Sequence, residues 1–245
     1  MRLLIAIPVF NERQYVDRVL DRIGRFHRDL LVIDDASTDG TSRLLDRRGD
    51  IQVIRHDSNR GYGQSIIDAF RYADLVGYDW VITMDCDEQH EPESIPDFIR
   101  EIETDRWDLI SGSRYLRNGE ADDLPPGDRR SINATITEII NGLYALNITD
   151  AFCGFKAHRV SAMRRLNLSE TGYAFPMQLW PRVAQSGLRL TEIPVRLIYK
   201  DPTRHFGGQL DDAGYRLKHY LDVLRVELNR PFAPIVSEPV CSCCE

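Results

Sequence analysis

An α/β fold built on a mostly parallel central sheet flanked by helices is what this sequence predicts, and three observations carry the prediction. Short apolar runs recur through the first half of the chain, each closed by a polar, turn-rich segment. Between those runs lie longer segments whose apolar residues return at helical spacing. Strands and helices that alternate in this way pair in parallel through right-handed crossovers. Composition agrees: 42% hydrophobic and 28% charged residues, with 16 Gly and 12 Pro, exclude collagen-like, low-complexity and wholly disordered chains. A chain of 245 residues is ample for a sizeable core, since this size buries roughly 70–75% of its unfolded surface.

The elements follow in order. Arg2–Ile7 reads as a strand ended by Pro8, and Asn11 as the cap of a helix carrying Tyr15, Val16, Val19, Leu20 and Ile23. Leu30–Ile33 is a buried strand, closed by the loop from Asp34 to Gly40. Helix Thr41–Arg47, strand Ile51–Arg55, helix Tyr62–Val76 and strand Trp80–Met84 come next. The second half is less regular. Asp108–Gly112 reads as a strand, Arg114–Arg130 as a long loop, and Ser131–Leu146 as a helix. A strand near Phe152–Ala157, a helix around Pro176–Gln185, strands over Leu188–Tyr199 and a final amphipathic helix Asp212–Leu228 complete the pattern. No internal repeat or linker interrupts it, so one domain over 1–230 is expected, with 231–245 as a poorly ordered tail.

Charge and cysteine usage narrow the function. With 31 Lys+Arg against 38 Asp+Glu the net charge is -7, which argues against a general nucleic-acid binder. A polyphosphate ligand would need a metal ion or a local Arg cluster to offset that field. The apolar run Leu3–Phe10 is interrupted by Pro8 and falls short of the ~20 residues a bilayer requires. It also lacks a signal-peptide cleavage site, so a cytoplasmic chain starting at Met1 is expected. Five cysteines, three of them at Cys241, Cys243 and Cys244, make no disulfide framework. The six histidines show no metal-ligand spacing and are expected mostly at the surface.

In parallel sheets, ligands bind beyond the carboxyl ends of the strands. Segments 8–12, 34–41, 57–63 and 85–91 all fall there, and all are polar. In Asp85-Cys86-Asp87 the extended backbone can aim both carboxylates at one cation, and Gln89 can add a carbonyl oxygen. A solvated acidic turn is the plainer explanation, and the position after a strand is what favours a divalent metal. Asp34 and Asp35 precede a turn in which Asp39 can cap the following helix. Capping needs one carboxylate, so the first two invite a role toward a base N–H or a ribose hydroxyl. The glycines of Arg60-Gly61-Tyr62-Gly63 do not make a dinucleotide fingerprint, because Ile66 stands at the third glycine's place. Arg114, Arg129, Arg130 and Arg204 lie in loops, where surface solvation competes with phosphate binding by the guanidinium fork.

Seven ordered segments carry a resemblance: 7–12 (IPVFNE), 32–41 (VIDDASTDGT), 59–63 (NRGYG), 84–90 (MDCDEQH), 111–115 (SGSRY), 150–155 (DAFCGF) and 172–177 (GYAFPM). Together they resemble family 2 glycosyltransferases of the Rossmann-like GT-A fold, nearest the dolichol-phosphate mannose synthase branch. The resemblance implies inverting transfer of a sugar from a nucleotide-diphosphate sugar donor. It implies Pro8, Phe10, Glu12, Ile33 and Asp35 around the nucleoside, Asp85, Asp87 and Gln89 on Mg²⁺ or Mn²⁺, and Cys86 contributing backbone. Arg114 and Arg204 would contact phosphates of donor or acceptor. Leu210 stands where that branch carries a phosphate-binding Lys, and Gln178 where it usually carries Glu, which leaves donor and acceptor open.

Three functions compete on these residues. The first is metal-dependent transfer to a polyprenyl or dolichyl phosphate, whose anionic oxygen needs no general base. The second is the same donor chemistry onto a hydroxyl, with Asp150 as candidate base. The third is a nucleotide-sugar binding module without catalysis. A lipid acceptor would place the protein against the inner membrane face, and residues 196–230, with seven Lys/Arg against five Asp/Glu, offer a weak peripheral contact.

Overall fold

The computed structural model describes residues 1–116, 127–196, 198 and 206–231. Seven strands form one sheet in the order β3-β2-β1-β4-β6-β5-β7. They are β1 Leu3–Val9, β2 Leu30–Asp34, β3 Gln52–Arg55, β4 Trp80–Thr83, β5 Leu109–Ser113, β6 Lys156–Arg159 and β7 Leu190–Pro194. All neighbours pair in parallel except β6, which runs antiparallel to both β4 and β5. β6 therefore starts, rather than ends, at the edge of the sheet where the other strands finish, and its first residues join their loops.

Period-two alternation divides the core. Leu3, Ile5, Ile7 and Val9 of β1 pack with Val16, Val19, Leu20 and Ile23 of α1 (Val16–Ile23) and with Ile95, Phe98 and Ile102 of α4 (Ile95–Glu103). Leu4 and Ala6 face the opposite layer, where α3 (Tyr62–Val76), α5 (Gly127–Tyr144), α6 (Val160–Met163), α7 (Phe175–Gln185) and α8 (Ala213–Asn229) pack. The short α2 (Thr41–Leu45) joins the first layer through Leu45.

Several boundaries differ from the sequence reading. Pro8 does not end β1: it pairs with Ile33. Val9 directs its carbonyl to β2 and Ala6 to β4, so alternation turns Pro8's nitrogen toward β4, past the last β1–β4 pair at Ala6 and Thr83. The missing N–H has no ladder partner to disappoint there. Asn11 does not cap α1, whose side-chain cap is absent; its Oδ1 instead accepts from the Thr38 and Asp39 amides at 2.8 and 3.3 Å. α5 begins at Gly127, which puts Arg129 and Arg130 on its first turn instead of in a loop. α4 and α6 went unread because the first follows a polar segment directly and the second is a single turn. The expected tail and the Cys241, Cys243 and Cys244 cluster lie outside the described residues.

Candidate active site

A cleft of about 790 Å³ opens where the loops after β1, β2 and β4 meet the start of β6 and the helices α5, α7 and α8. It is lined by Pro8, Phe10, Glu12, Asp35, Asp85, Cys86, Asp87, Gln89 and Arg114, all expected at the site. Two expected residues are placed otherwise, and a third falls outside the described residues. Ile33 is fully buried in the core beneath α3, because the alternation of β2 turns it into the sheet's face. Arg204 lies outside the described residues. Asp150 is fully buried behind the cleft wall.

The loop after β2 is fixed by its own carboxylates, which explains why one Asp was not enough. Buried Asp34 accepts from the Ser37 amide, Ser42 Oγ and Arg55 Nε at 3.0, 2.6 and 3.1 Å. Burial pulls its pKa up, but those donors hold it below the ordinary value. Asp35 accepts from the Arg60 and Gly61 amides at 2.7 and 2.8 Å and from His56 Nδ1 at 2.6 Å. It joins the β2 and β3 loops while one edge still reaches the cleft. Asp39 accepts from the Thr41 amide at 2.9 Å, but the N-cap of α2 is Gly40, one residue later than the sequence placed it, and carries no side-chain cap.

The 85–90 turn is built around a histidine. Asp87 Oδ1 accepts from the Gln89 amide at 3.0 Å, folding the segment so that Asp85, Asp87 and Gln89 share the cleft. Buried His90 accepts from the Asp85 amide through Nδ1 at 3.3 Å, so its proton sits on Nε2, facing Cys153 Sγ at 3.8 Å. Burial lowers the His90 pKa to about 4, keeping the ring neutral near pH 7. Gly154 touches the Asp85 carboxylate so closely that a Cβ there would come within 2.5 Å of Oδ2. Tyr62 lies beside Asp85, and burial followed by that carboxylate raises its phenol well above the usual value. The expectation of surface histidines is corrected: His56, His90 and His158 are all buried, each held by polar neighbours that the sequence spacing does not reveal.

Asp150, the candidate base, is fully taken up by protein donors. Arg114 Nε and Nη2 clamp its two oxygens at 2.6 and 2.8 Å, and Asn133 Nδ2 adds a third bond at 2.8 Å. Burial alone would raise its pKa, but Arg114 and Asn133 hold it far below the carboxylate range. Both of its oxygens are occupied by the guanidinium and the Asn133 amide. The pair stabilises the Arg114 charge against burial.

Opposite the carboxylates the wall turns apolar: Ile132, Phe152, Phe175, Leu179 and Tyr220 line it, with Arg129 and Arg216 among them. Phe206 lies between the two guanidinium groups, 4.7 and 4.8 Å from its ring centre. Tyr173 meets Phe206 edge-on at 5.5 Å and stacks on Tyr62 at 5.9 Å, joining the two walls. This wall was missed by the sequence reading, because its residues come from separate helices and look like ordinary core positions. Lys156 was missed too, although a single charge in the otherwise apolar run 152–157 was a visible signal. Gln178 and Leu210 do not line the cleft. Gln178 Oε1 accepts from the Ser169 and Glu170 amides at 2.6 and 2.8 Å, and its Nε2 donates to Glu227 at 2.8 Å.

A family model described as glycosyl transferase family 2 matches residues 4–166, well over half of the chain. The chain belongs to glycosyltransferase family 2. It is 31% identical over 224 residues to the undecaprenyl-phosphate mannosyltransferase of Micrococcus luteus, covering 87% of this chain and 91% of that protein. It is 28% identical over 234 residues to the polyprenol monophosphomannose synthase of Mycolicibacterium smegmatis, covering 89% and 86%. These relatives place the glycosyltransferase in the branch resembling dolichol-phosphate mannose synthases. Its fold is similar to that of glucosyl-3-phosphoglycerate synthase from Mycobacterium tuberculosis, with TM-score 0.67, 16% identity, and 94% and 81% of the two chains covered. Among the described residues no helix is long and apolar enough to cross a membrane.

Proposed function

We propose that this glycosyltransferase moves a sugar, with inversion, from a nucleotide-diphosphate sugar to a polyprenyl phosphate. The observation that carries the reading is the two-sided cleft: oxygen ligands and Arg114 on one wall, aromatic and aliphatic side chains on the other, in one continuous cavity. A nucleotide diphosphate suits the first wall and an isoprenoid chain the second. The names of the relatives from Micrococcus luteus and Mycolicibacterium smegmatis support the same acceptor class.

Asp85, Asp87 and Gln89 fit a hard divalent cation, Mg²⁺ or Mn²⁺. They would supply two carboxylates and one amide oxygen, three oxygen ligands that leave further positions open. Such an open set suits an ion that also takes phosphate oxygens. When bound, that ion supplies charge neutralisation for the leaving diphosphate. Pro8, Phe10, Glu12 and Asp35 border the nucleoside, while Cys86 shapes the turn through its buried side chain. Arg114, oriented by Asp150, keeps Nη1 for a phosphate oxygen. The acceptor's anionic oxygen attacks the anomeric carbon, the bond from that carbon to the diphosphate oxygen breaks, and the electron pair leaves with the diphosphate. No proton changes hands, which accords with Asp150 being unfit as a base. A membrane-lipid acceptor implies work at a membrane surface, by peripheral contact.

Incubation with radiolabelled UDP-, GDP- and dTDP-sugars, Mn²⁺ and undecaprenyl phosphate tests the reading. A lipid-linked sugar that is lost on chelation is the expected product. Transfer only to hydroxyl acceptors would overturn it.

A further inference from the structure

We propose that Lys156 is a substrate-binding residue of the transfer site, its ammonium contacting the phosphate of the acceptor. The inference rests on the polyprenyl-phosphate reading above and deepens it.

Lys156 opens β6, the antiparallel strand that enters the sheet beside the loops of the active site. Its side chain is 4% exposed, yet it lines the cleft. Among the described residues the ammonium has one protein hydrogen bond, to the Cys153 carbonyl, and it lies 5.2 Å from the centre of the Trp180 ring. An ammonium carries three donors. One meets the carbonyl, the indole face accounts for another direction, and a third remains for the cavity. Burying a cation with this little compensation is costly unless a ligand completes the set.

The surrounding charges point the same way. Arg114 is matched by Asp150, which takes Nε and Nη2 together. His158, two residues along the same face of β6, is kept neutral by burial and by the neighbouring ammonium, and its Nδ1 is buried without a partner. Asp85 and Asp87 belong to the divalent ion in the functional reading. With Arg114 left only Nη1 and Arg216 paired with Asp128, Lys156 adds a further cation for an anion at this wall. Its place is at the junction of the two walls: Cys153 and Gly154 connect it to Asp85, and Trp180 connects it to the apolar helices. A lipid phosphate with its chain along the apolar wall puts its headgroup at that junction.

The test uses the full chain with Mn²⁺, whichever donor of the UDP-, GDP- and dTDP-sugar panel supports transfer, and undecaprenyl phosphate in detergent. Lys156→Met, close in volume and uncharged, should raise the acceptor KM about 10- to 100-fold, the effect of losing a charge-assisted hydrogen bond. Donor affinity, read by calorimetry with Mn²⁺, should stay within about 2-fold on that account. Lys156→Arg should recover much of the acceptor affinity. Lys156→Gln, read in the same way, guards against a packing defect peculiar to methionine, with thermal melting to confirm folding. An acceptor KM unchanged in a folded Lys156→Met or Lys156→Gln variant overturns the inference. Equal loss of donor and acceptor affinity also overturns it, since that marks a structural role. Absence of wild-type transfer to undecaprenyl phosphate would instead strike the polyprenyl-phosphate reading itself.

Discussion

Asp85 and Asp150 are both Asp residues at the edge of one cleft, yet their surroundings give them opposite tasks. The Asp85 side chain is 31% exposed, rests against Gly154, and faces the cavity with Asp87 and Gln89. Asp150 is 0% exposed and bound on both oxygens by Arg114. The first carboxylate lies against the Gly154 backbone and the Tyr62 phenol and borders the cavity. The second is held by a guanidinium and can only position it. The contrast extends to their regions: the 85–90 turn is organised from within by its own amides and His90, whereas the Arg114–Asp150 wall is assembled from β5, α5 and the segment entering β6.

The largest effect should come from the ligand-facing carboxylate. Asp87→Ala is expected to lower transfer by about 10³-fold, in the range for deleting a group that holds transition-state charge. Metal-dependent donor binding should vanish in calorimetry while the melting temperature barely moves; a large drop in melting temperature would erase the contrast. Asp150→Asn should do the reverse, costing about 3–5 kcal/mol of stability in denaturant titration because Arg114 is left buried and unpaired. If Asp150 were a base, that variant would keep its stability and lose one limb of the pH–rate profile.

The same pair predicts a pH signature. Asp150 has a folded pKa below its ordinary value, so its contribution to stability is present above that value and is lost as pH falls toward the lower, folded pKa. His90 adds a second acid-sensitive step. Its folded pKa of about 4 lies below the ordinary 6.5, so the unfolded chain binds the extra proton and stability declines as pH drops from 6.5 toward 4. His90→Gln should flatten that decline in chemical denaturation and weaken metal-dependent donor binding, because the Asp85 amide loses its acceptor. An unchanged slope would show that the 85–90 turn does not depend on His90.

The smallest effect is expected at Gly63, where the start of α3 packs on segment 170–172. A Cβ at Gly63 would collide with the Glu170 carbonyl, and the neighbouring Gln64 amide donates to the Thr171 carbonyl at 3.1 Å. Gly63→Ala should therefore cost about 1–3 kcal/mol by overpacking, although alanine favours a helix. A gain in melting temperature would mean that segment 170–172 moves freely from the start of α3.

Much of the architecture was legible because hydrophobic period and turn chemistry are local. Helix Tyr62–Val76 was bounded correctly, and the strands near 30–34, 52–55 and 80–83 fell within a residue or two: the first and last are buried runs, the second is a largely exposed edge strand, and polar turns close them. The polar wall of the cleft was legible for the same reason: Glu12, Asp35, Asp85 and Asp87 follow strands whose ends are visible in the sequence. Asn11 and Pro8 misled because their roles depend on neighbours distant in the chain. Asn11 serves the 34–41 loop, and Pro8 is tolerated only because β4 has already ended beside it.

What the sequence determined by itself was a set of carboxylates, amides and glycines placed after parallel strands, because that placement needs only local rules. The tertiary structure alone decided which of those groups face a ligand. Burial and pairing are set across the chain: Arg114 claims Asp150, Gly154 leaves room for Asp85, the β2 alternation removes Ile33 from the cleft, and an antiparallel β6 carries Lys156 to the meeting point of the two walls.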